Sequence, residues 1–363
     1  MPTRKKNKAK EPNGNTVDSP QPKNVSLKDV AASVRLSPTT VSVVLNYSPL
    51  ADSIPQETKD RIFEAARNLN YRPNYIARSL RNQRTHTIGV LIPEMSEGYS
   101  AAVLSGVEEK LLQEGYFYFV ASHHHRESLI ERNTQFLVAR CVEGILAIDT
   151  PIQHQSFLPI VSISGHDHVR GVTNIVLNHE LAAELAVRHL HELGHRKIAV
   201  IKGQDFSSDT EVRLSTVRRA AREFGARIAD NWITQLIGDD PSPQTGYAAT
   251  KKLLAETTEF TAVLAFNDIS AIGAIRALRE SGLEVPRDVS VIGFDDITAA
   301  EYYNPALTTI RQPLKKMGNL GAEYLLLNIQ KNPADTLSVE ITVEPELIVR
   351  QSTSRVEQVD RVD

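Results

Sequence analysis

Two sets of side chains in this sequence have the types and spacing to do chemistry, and both suit recognition better than bond breaking. The first is Ser37-Pro38-Thr39-Thr40, continuing through Ser42, Val43 and Asn46. Ser followed by Pro reads as a helix N-cap and first helical position, because the cap oxygen meets orphan backbone N–H groups and Pro lacks the N–H that would go unpaired there. Thr39 and Thr40 then stand where short polar side chains can meet base edges in a major groove, at a helix end that favours phosphate. Val43 shares that face. An exposed apolar residue there fits a thymine methyl, with local packing as the alternative; Ser26 and Ser42 read as phosphate contacts or caps. The second set is scattered. Glu94, Tyr99, His123, Asn267, Asp268 and Asp295 each follow a short apolar run. Carboxylates and amides of this kind hydrogen-bond to ligand hydroxyls, although Asp268 also suits a helix cap and Asp295 a turn.

Catalytic machinery is not visible. The chain has no G-x-S-x-G, no P-loop and no G-x-G-x-x-G, and its single cysteine, Cys141, precedes an apolar run. The His123-His124-His125 run and the group His189, His191, His195 lack an acidic or thiolate partner at a ligand spacing, and Gly194 should end the helix between His191 and His195. We therefore expect no metal, no cofactor and no enzyme.

The elements that must position these groups differ along the chain. Ser26 opens a stripe of Leu27, Val30, Ala31 and Val34, the spacing of one short helix. Pro38 to Asn46 forms a second, with Val41, Val44 and Leu45 on its buried face and Thr39, Thr40, Ser42 and Val43 opposite. Pro55 or Gln56 to Leu69 forms a third. Two short helices so tightly joined imply a helix-turn-helix. Beyond Thr85 the pattern changes to apolar runs alternating with helical stretches. Runs at Ile88–Ile92, Phe117–Ala121, Gly144–Ile148 and Val161–Ser164 make one set; Ile198–Ile201, Trp232–Leu236, Ala262–Phe266 and Ser290–Phe294 make a second. That alternation implies two parallel, doubly wound sheets, whose ligands sit beyond the carboxyl ends of the strands.

Composition agrees. At 363 residues with 41% apolar and 23% charged side chains, the chain is globular and long enough for two or three domains. One cysteine excludes an internal disulfide, and no stretch nears the roughly 20 apolar residues of a membrane span. A cytoplasmic location without membrane contact is expected. The formal net charge of −3 conceals a division: residues 1–85 carry 15 Lys+Arg against 7 Asp+Glu (+8), leaving 26 against 37 (−11) for the remainder. A basic piece on an acidic body fits a polyanion partner, since each Lys or Arg at a phosphate releases counterions.

The run Ser26 to Asn46, "SLKDVAASVRLSPTTVSVVLN", resembles the DNA-binding head of the lac-repressor (LacI/GalR) family. "NYRPNYIARSLRNQRTHTIGVLIPE", Asn70 to Glu94, is similar to that family's hinge helix, linker and first core strand. "HLHELGHRKIAVIKG", "FNDISAIGAIRALRESGLEVPRDVSVIGFDD" and "NPALTTIRQPLKKMG" resemble its later motifs, so the likeness runs from about Val25 to about Val349. It implies an all-α helix-turn-helix head and hinge helix, followed by a two-lobed α/β periplasmic-binding-protein-like core of doubly wound parallel sheets. The expected boundaries are a disordered basic tail (1–23), the head (24–72), hinge helix and linker (73–85), the core (86–350) and a short tail (351–363). Within the core, 86–174 plus 306–335 should form an N-lobe and 175–305 plus 336–350 a C-lobe.

The resemblance further implies that Ser37, Pro38, Thr39, Thr40, Val43 and Asn46 face bases or backbone, joined by Tyr71, Asn74, Ala77, Arg78, Leu80 and Arg81 around the hinge. Leu80 is the wedge expected to open a minor groove, as apolar side chains do at kinked steps. Arg213 falls where the family places an effector-clamping arginine. The implied partners are double-stranded operator DNA, a second copy of the chain and a small-molecule effector such as a sugar. The tail holds only Val356, Val359 and Val362 as apolar residues, too little for a helical bundle, so a dimer is expected over a tetramer. Repression is the expected output, with activation or corepressor dependence as alternatives. Ser96-Glu97-Gly98-Tyr99 and Ser164-Gly165-His166 depart from the family pattern, which leaves the effector open.

Overall fold

The computed structural model describes residues 25–72, 84–95, 98–152, 157–165, 169–239, 242–331 and 338–356. They fall into two compact units, one ending at Gln83 and one starting at Arg84.

The first unit is three helices. Helix α1 (Leu27–Val34) starts at a capping box in which the Asp29 carboxylate accepts from the Ser26 N–H at 2.8 Å and Ser26 Oγ accepts from the Asp29 N–H. It stops at Arg35, whose φ of 55° turns the chain out of the helix. Helix α2 (Pro38–Leu45) begins at Ser37, whose Oγ accepts from the Thr40 N–H at 3.0 Å, with Pro38 at its first position. A 3-10 turn, Pro49–Ser53, leads to α3 (Gln56–Asn68). Val30, Ala31, Val34, Val41, Val44, Ile62 and Ala66 close the small core, and Arg61 Nη2 donates to the Val34 carbonyl across it.

The second unit is built on two six-stranded sheets. In chain order its elements are β1 (Thr87–Ile92), α4 (Tyr99–Gln113), β2 (Phe117–Ser122), α5 (Glu127–Ala139), β3 (Gly144–Ile148), β4 (Ile160–Ile163), β5 (Val172–Leu177), α6 (His179–Glu192), β6 (Ile198–Lys202), α7 (Asp209–Glu223), β7 (Ile233–Gln235), α8 (Pro243–Glu256), β8 (Ala262–Ala265), α9 (Asp268–Glu280), β9 (Ser290–Asp295), α10 (Thr298–Tyr302), β10 (Thr308–Arg311), α11 (Leu314–Gln330), β11 (Glu340–Val343) and β12 (Glu346–Ile348). The first sheet runs β11-β5-β4-β3-β1-β2, parallel throughout. The second runs β12-β10-β9-β8-β6-β7, with β12 antiparallel at its edge. Strands β1, β3, β4 and β5 are buried along their whole length, as parallel strands covered on both faces must be. Helices α4 and α11 meet where a side chain at Gly106 would lie 1.9 Å from the Lys315 carbonyl oxygen, so only glycine permits that approach.

The chain passes between the sheets after β5, after β10 and after β11, and this corrects the expected lobe boundaries. Strand β10 pairs with β9 and so belongs to the second sheet, not with 306–335 in the first; β11 pairs with β5 and so belongs to the first. Apolar runs identify strands but not which sheet edge a late strand joins. The sequence reading also passed over β5, whose Thr173 and Asn174 interrupt the apolar run; Thr173 Oγ1 accepts from Asn328 Nδ2 at 3.2 Å, which satisfies one of these polar groups inside the core. The expected strand at Trp232–Leu236 shortens to β7, because Asp230–Trp232 form a 3-10 turn that buries the indole. Nor does the tail begin at 351. Ser352 is fully buried, its hydroxyl bridging the Val291 carbonyl and the Thr308 N–H, and the chain stays attached through Val356, whose N–H donates to Leu193.

Candidate functional site

In the head, the exposed face of α2 carries Ser37, Pro38 and Thr39, with Thr40 half-buried and its hydroxyl 2.8 Å from Ser37 Oγ. Ser26 is the α1 cap. Two expectations need correcting. Ser42 does not sit with Thr39 on the open face; it is buried, and its carbonyl and hydroxyl accept from Asn46 Nδ2 at 2.7 and 3.1 Å. One turn of helix separates the two residues, so this pair closes the end of α2 and both polar groups are spent internally. Val43 and Tyr71 are half-buried against the head core, with the Tyr71 phenol pushed above its usual range by burial. Asn74, Ala77, Arg78, Leu80 and Arg81 lie outside the described residues.

In the core, a cleft opens at the carboxyl ends of both sheets. Of the residues singled out in sequence, Glu94, Tyr99, Arg213, Asn267 and Asp295 line it. His123 and Asp268 do not. His123 is fully buried, its Nε2 2.8 Å from Thr150 Oγ1 and its Nδ1 accepting from the His125 N–H, and burial pushes its pKa down to about 4. Asp268 is also fully buried; it accepts from Thr309 Oγ1 at 2.6 Å and from the Ile297 N–H at 2.9 Å, in space that Gly293 leaves open. These are structural roles, set by strand ends that turn inward as readily as outward. His195 is likewise internal, between Thr261 Oγ1 and the Ser354 carbonyl, and His189 meets Thr353. Among the described residues no three His, Cys, Asp or Glu side chains gather closely enough to hold a metal ion.

The cleft's electrostatics centre on Arg213. Helix α7 sets Asp209 one turn before it, and the two form an ion pair; Arg213 Nη1 donates to the Phe266 carbonyl at 2.8 Å. Its guanidinium lies 3.9 Å from the Phe294 ring centre and 4.6 Å from that of Phe266. His179 approaches Asp209 from α6 at 3.4 Å. On the other wall, Tyr99 donates to Ser164 Oγ at 2.5 Å, and burial beside carboxylates drives its phenol well above the ordinary range. Asp149, at the end of β3, is pushed up to about 7, first by burial and then by the charge of Asp209. Asp295 is pushed up to about 6 by burial, against the opposing pull of Arg213 and of Gln312, whose Nε2 donates to it at 2.6 Å.

Sequence reasoning missed Asp149, Asp209, Ser164 and His125 as members of this group. Asp149 directly follows one expected strand and Ser164 ends another, so the strand-end rule that found Asp295 reaches them as well. His125 stacks on Phe206 at 3.7 Å and lies 3.5 Å from Glu94, joining the two walls; Ser208 Oγ donates to the Ser164 carbonyl beside it.

The family pattern for bacterial regulatory proteins of the lacI family matches residues 26–74, and that for periplasmic binding protein-like domains matches 187–353. The HTH-type transcriptional repressor PurR of Pasteurella multocida is 32% identical over 337 residues, covering 90% of this chain and 98% of that protein. The chain belongs to the lacI family. PurR of Haemophilus influenzae is 31% identical over 341 residues, covering 91% and 99% of the two chains. Among solved structures, a lac repressor dimer bound to operator and the anti-inducer ONPF matches with a TM-score of 0.80 at 26% identity, over 92% of this chain and all of the other. The transcriptional regulator CelR in complex with cellobiose matches with a TM-score of 0.66 at 28% identity, over 90% and 99%. As a lacI-family member the chain is a DNA-binding transcription regulator, its head carrying α2 and its core the cleft.

Proposed function

We propose that this regulator is a repressor that binds an inverted-repeat operator as a homodimer and responds to a small hydroxylated ligand in the core cleft. The observation that carries the reading is one chain holding both an exposed, Thr39-bearing second helix of a helix-turn-helix and a cleft lined by hydrogen-bonding strand ends. The relatives named repressors and the operator-bound lac repressor dimer support it. So does β2, an edge strand whose Phe117 is 61% exposed and packs edge-on to Phe119 at 5.4 Å, an apolar strip suited to a second copy. Two-fold protein symmetry then requires two-fold DNA symmetry. Thr39, Pro38 and Val43 read bases; Ser37, Thr40 and Tyr71 touch backbone; Asn74, Ala77, Arg78, Leu80 and Arg81 serve the hinge, with Leu80 as wedge. In the cleft, Glu94, Tyr99, Arg213, Asn267 and Asp295 meet the ligand, joined by Asp149 and Ser164. The CelR–cellobiose neighbour supports a sugar-like ligand.

Footprinting of the full chain on its own upstream region tests the DNA reading: protection of two symmetric half-sites is expected, and a single unpaired half-site overturns it. Sedimentation tests the dimer; a stable tetramer at micromolar concentration contradicts it.

A further inference from the structure

The cleft carries a charge imbalance that a neutral sugar leaves unanswered. Among the described residues Glu94, Asp149, Asp209, Asp239 and Asp295 line it, against one arginine, Arg213, and one histidine, His125. The charge of Arg213 is already answered by Asp209, its Nη1 donates to the Phe266 carbonyl and its guanidinium lies against two phenyl rings; among the described residues only its buried Nε is left as a donor without a partner. Among the described residues the Asp149 carboxylate makes no hydrogen bond or ion pair, although Asp209, His125, Glu94 and Arg213 all lie within electrostatic reach. A second polar group points the same way: Ser100 Oγ, in the cleft wall at the start of α4, is 3% exposed and accepts or donates no hydrogen bond. Buried polar groups left unpaired are costly, and in a binding cleft they mark where a ligand donor belongs. The acids are too dispersed for one metal ion and suit an extended organic cation.

We propose that the ligand is a polyhydroxylated amine, with its ammonium group on Asp149 and its hydroxyls on Ser100, Ser164 and Asp295. The proposal rests on the cleft being the effector site and adds the charge of the effector. Phe206, 41% exposed at the cleft wall beside His125, offers the apolar face of such a ligand a surface to stack on. A carboxylated or phosphorylated ligand meets several carboxylates, and among the described lining residues the one arginine is already paired with Asp209.

Calorimetry on the full chain decides, using three matched series of probes: the gluco, galacto and manno hexosamines, the parent hexoses and the hexuronates. The expected order is amine first, at least tenfold tighter than the parent hexose in one series, with the uronate weakest. Asp149→Asn should bring amine and hexose within twofold of each other. The preference should persist in about 0.5 M salt, which screens exposed charges far more than buried pairs. Equal or tighter binding of the hexose or uronate overturns the ammonium assignment and leaves the effector cleft standing. A preference that survives Asp149→Asn removes Asp149 from the assignment, and if that variant fails to fold the wild-type series still decides the ligand class. Absence of binding across all three series overturns both the ammonium assignment and the effector reading behind it.

Discussion

The head and the cleft present polar groups by opposite means. On α2 the exposed face is simply what the small core leaves over: Thr39 is exposed because Val41 and Val44 are buried. In the cleft most of the charged groups are tied into the fold. Arg213, Asp209 and Asp295 are buried or nearly so, joined to one another or to Gln312, and each serves the fold while lining the cleft. The consequence is a difference in what mutation removes. A change on the head surface should alter recognition and spare stability; a change in the cleft should alter both.

Arg213→Ala is the largest test of that contrast. It takes from Asp209, 5% exposed and also approached by His179, its guanidinium partner. Removing one partner of a buried ion pair costs about 3–5 kcal/mol. Urea denaturation should show a loss of that order, and ligand response should vanish, while nonspecific DNA binding persists. A variant as stable as wild type would show that the cleft arginine is an ornament on a fold that does not need it, and the contrast would fail.

Asp149→Asn sharpens the comparison by acting in the other direction. The folded core holds Asp149 at about 7, above its ordinary value of 3.8, so folding retains a proton that the unfolded chain has released between those pH values. Stabilisation from that proton is complete below the lower value and is lost as pH rises through the upper one. Asparagine cannot ionise, so the variant should gain about 1–3 kcal/mol at pH 8 relative to wild type and almost nothing at pH 4. His123 works oppositely: held down to about 4 from 6.5, it contributes stability that is present above 6.5 and drains away as pH falls toward 4. Thermal melts of both chains across that range separate the two groups, and a variant gain that is flat with pH would remove the carboxyl from the account.

The same contrast explains what the sequence made legible. The head's helices, caps and exposed Thr39 follow from local spacing: Ser26, Ser37 and Pro38 act within one turn of chain. The strands of the core were legible as apolar runs, except β5, where Thr173 and Asn174 interrupt the run and Thr173 is satisfied by Asn328, a partner that local pattern does not reveal. The cleft was half legible. Strand ends were the right place to look, but whether an end residue faces ligand or core depends on distant chain: Thr309 and Ile297 draw Asp268 inward, and Thr150 draws His123. The ion pair of Asp209 with Arg213 is local, one turn apart on α7, and its i, i+4 spacing was a signal open to sequence reasoning.

Within the head, Ser37→Ala should cost about 1 kcal/mol of stability, because its hydroxyl caps α2 through the Thr40 N–H. That is a structural effect on the reading helix, smaller than any in the cleft, and it should weaken operator and nonspecific DNA binding together. Denaturation with and without operator measures it.

Thr39→Ala is the smallest expected effect on the fold and the most direct test of the head. Thr39 is exposed on the first turn of α2, with no partner in the head to lose, so its stability should stay within about 0.5 kcal/mol of wild type. Ser42, three residues on, makes the control: it is buried and receives both bonds from Asn46 Nδ2, so Ser42→Ala should destabilise the head while leaving base preference alone. If Thr39 meets a base edge, its truncation should lower affinity for the preferred half-site by about 1 kcal/mol and flatten discrimination at one base position, with phosphate-driven nonspecific binding unchanged. Selection from randomised half-sites with both variants reads this out. A Thr39→Ala profile identical to wild type would place base reading elsewhere on α2, and Val43 would be the next residue to exchange.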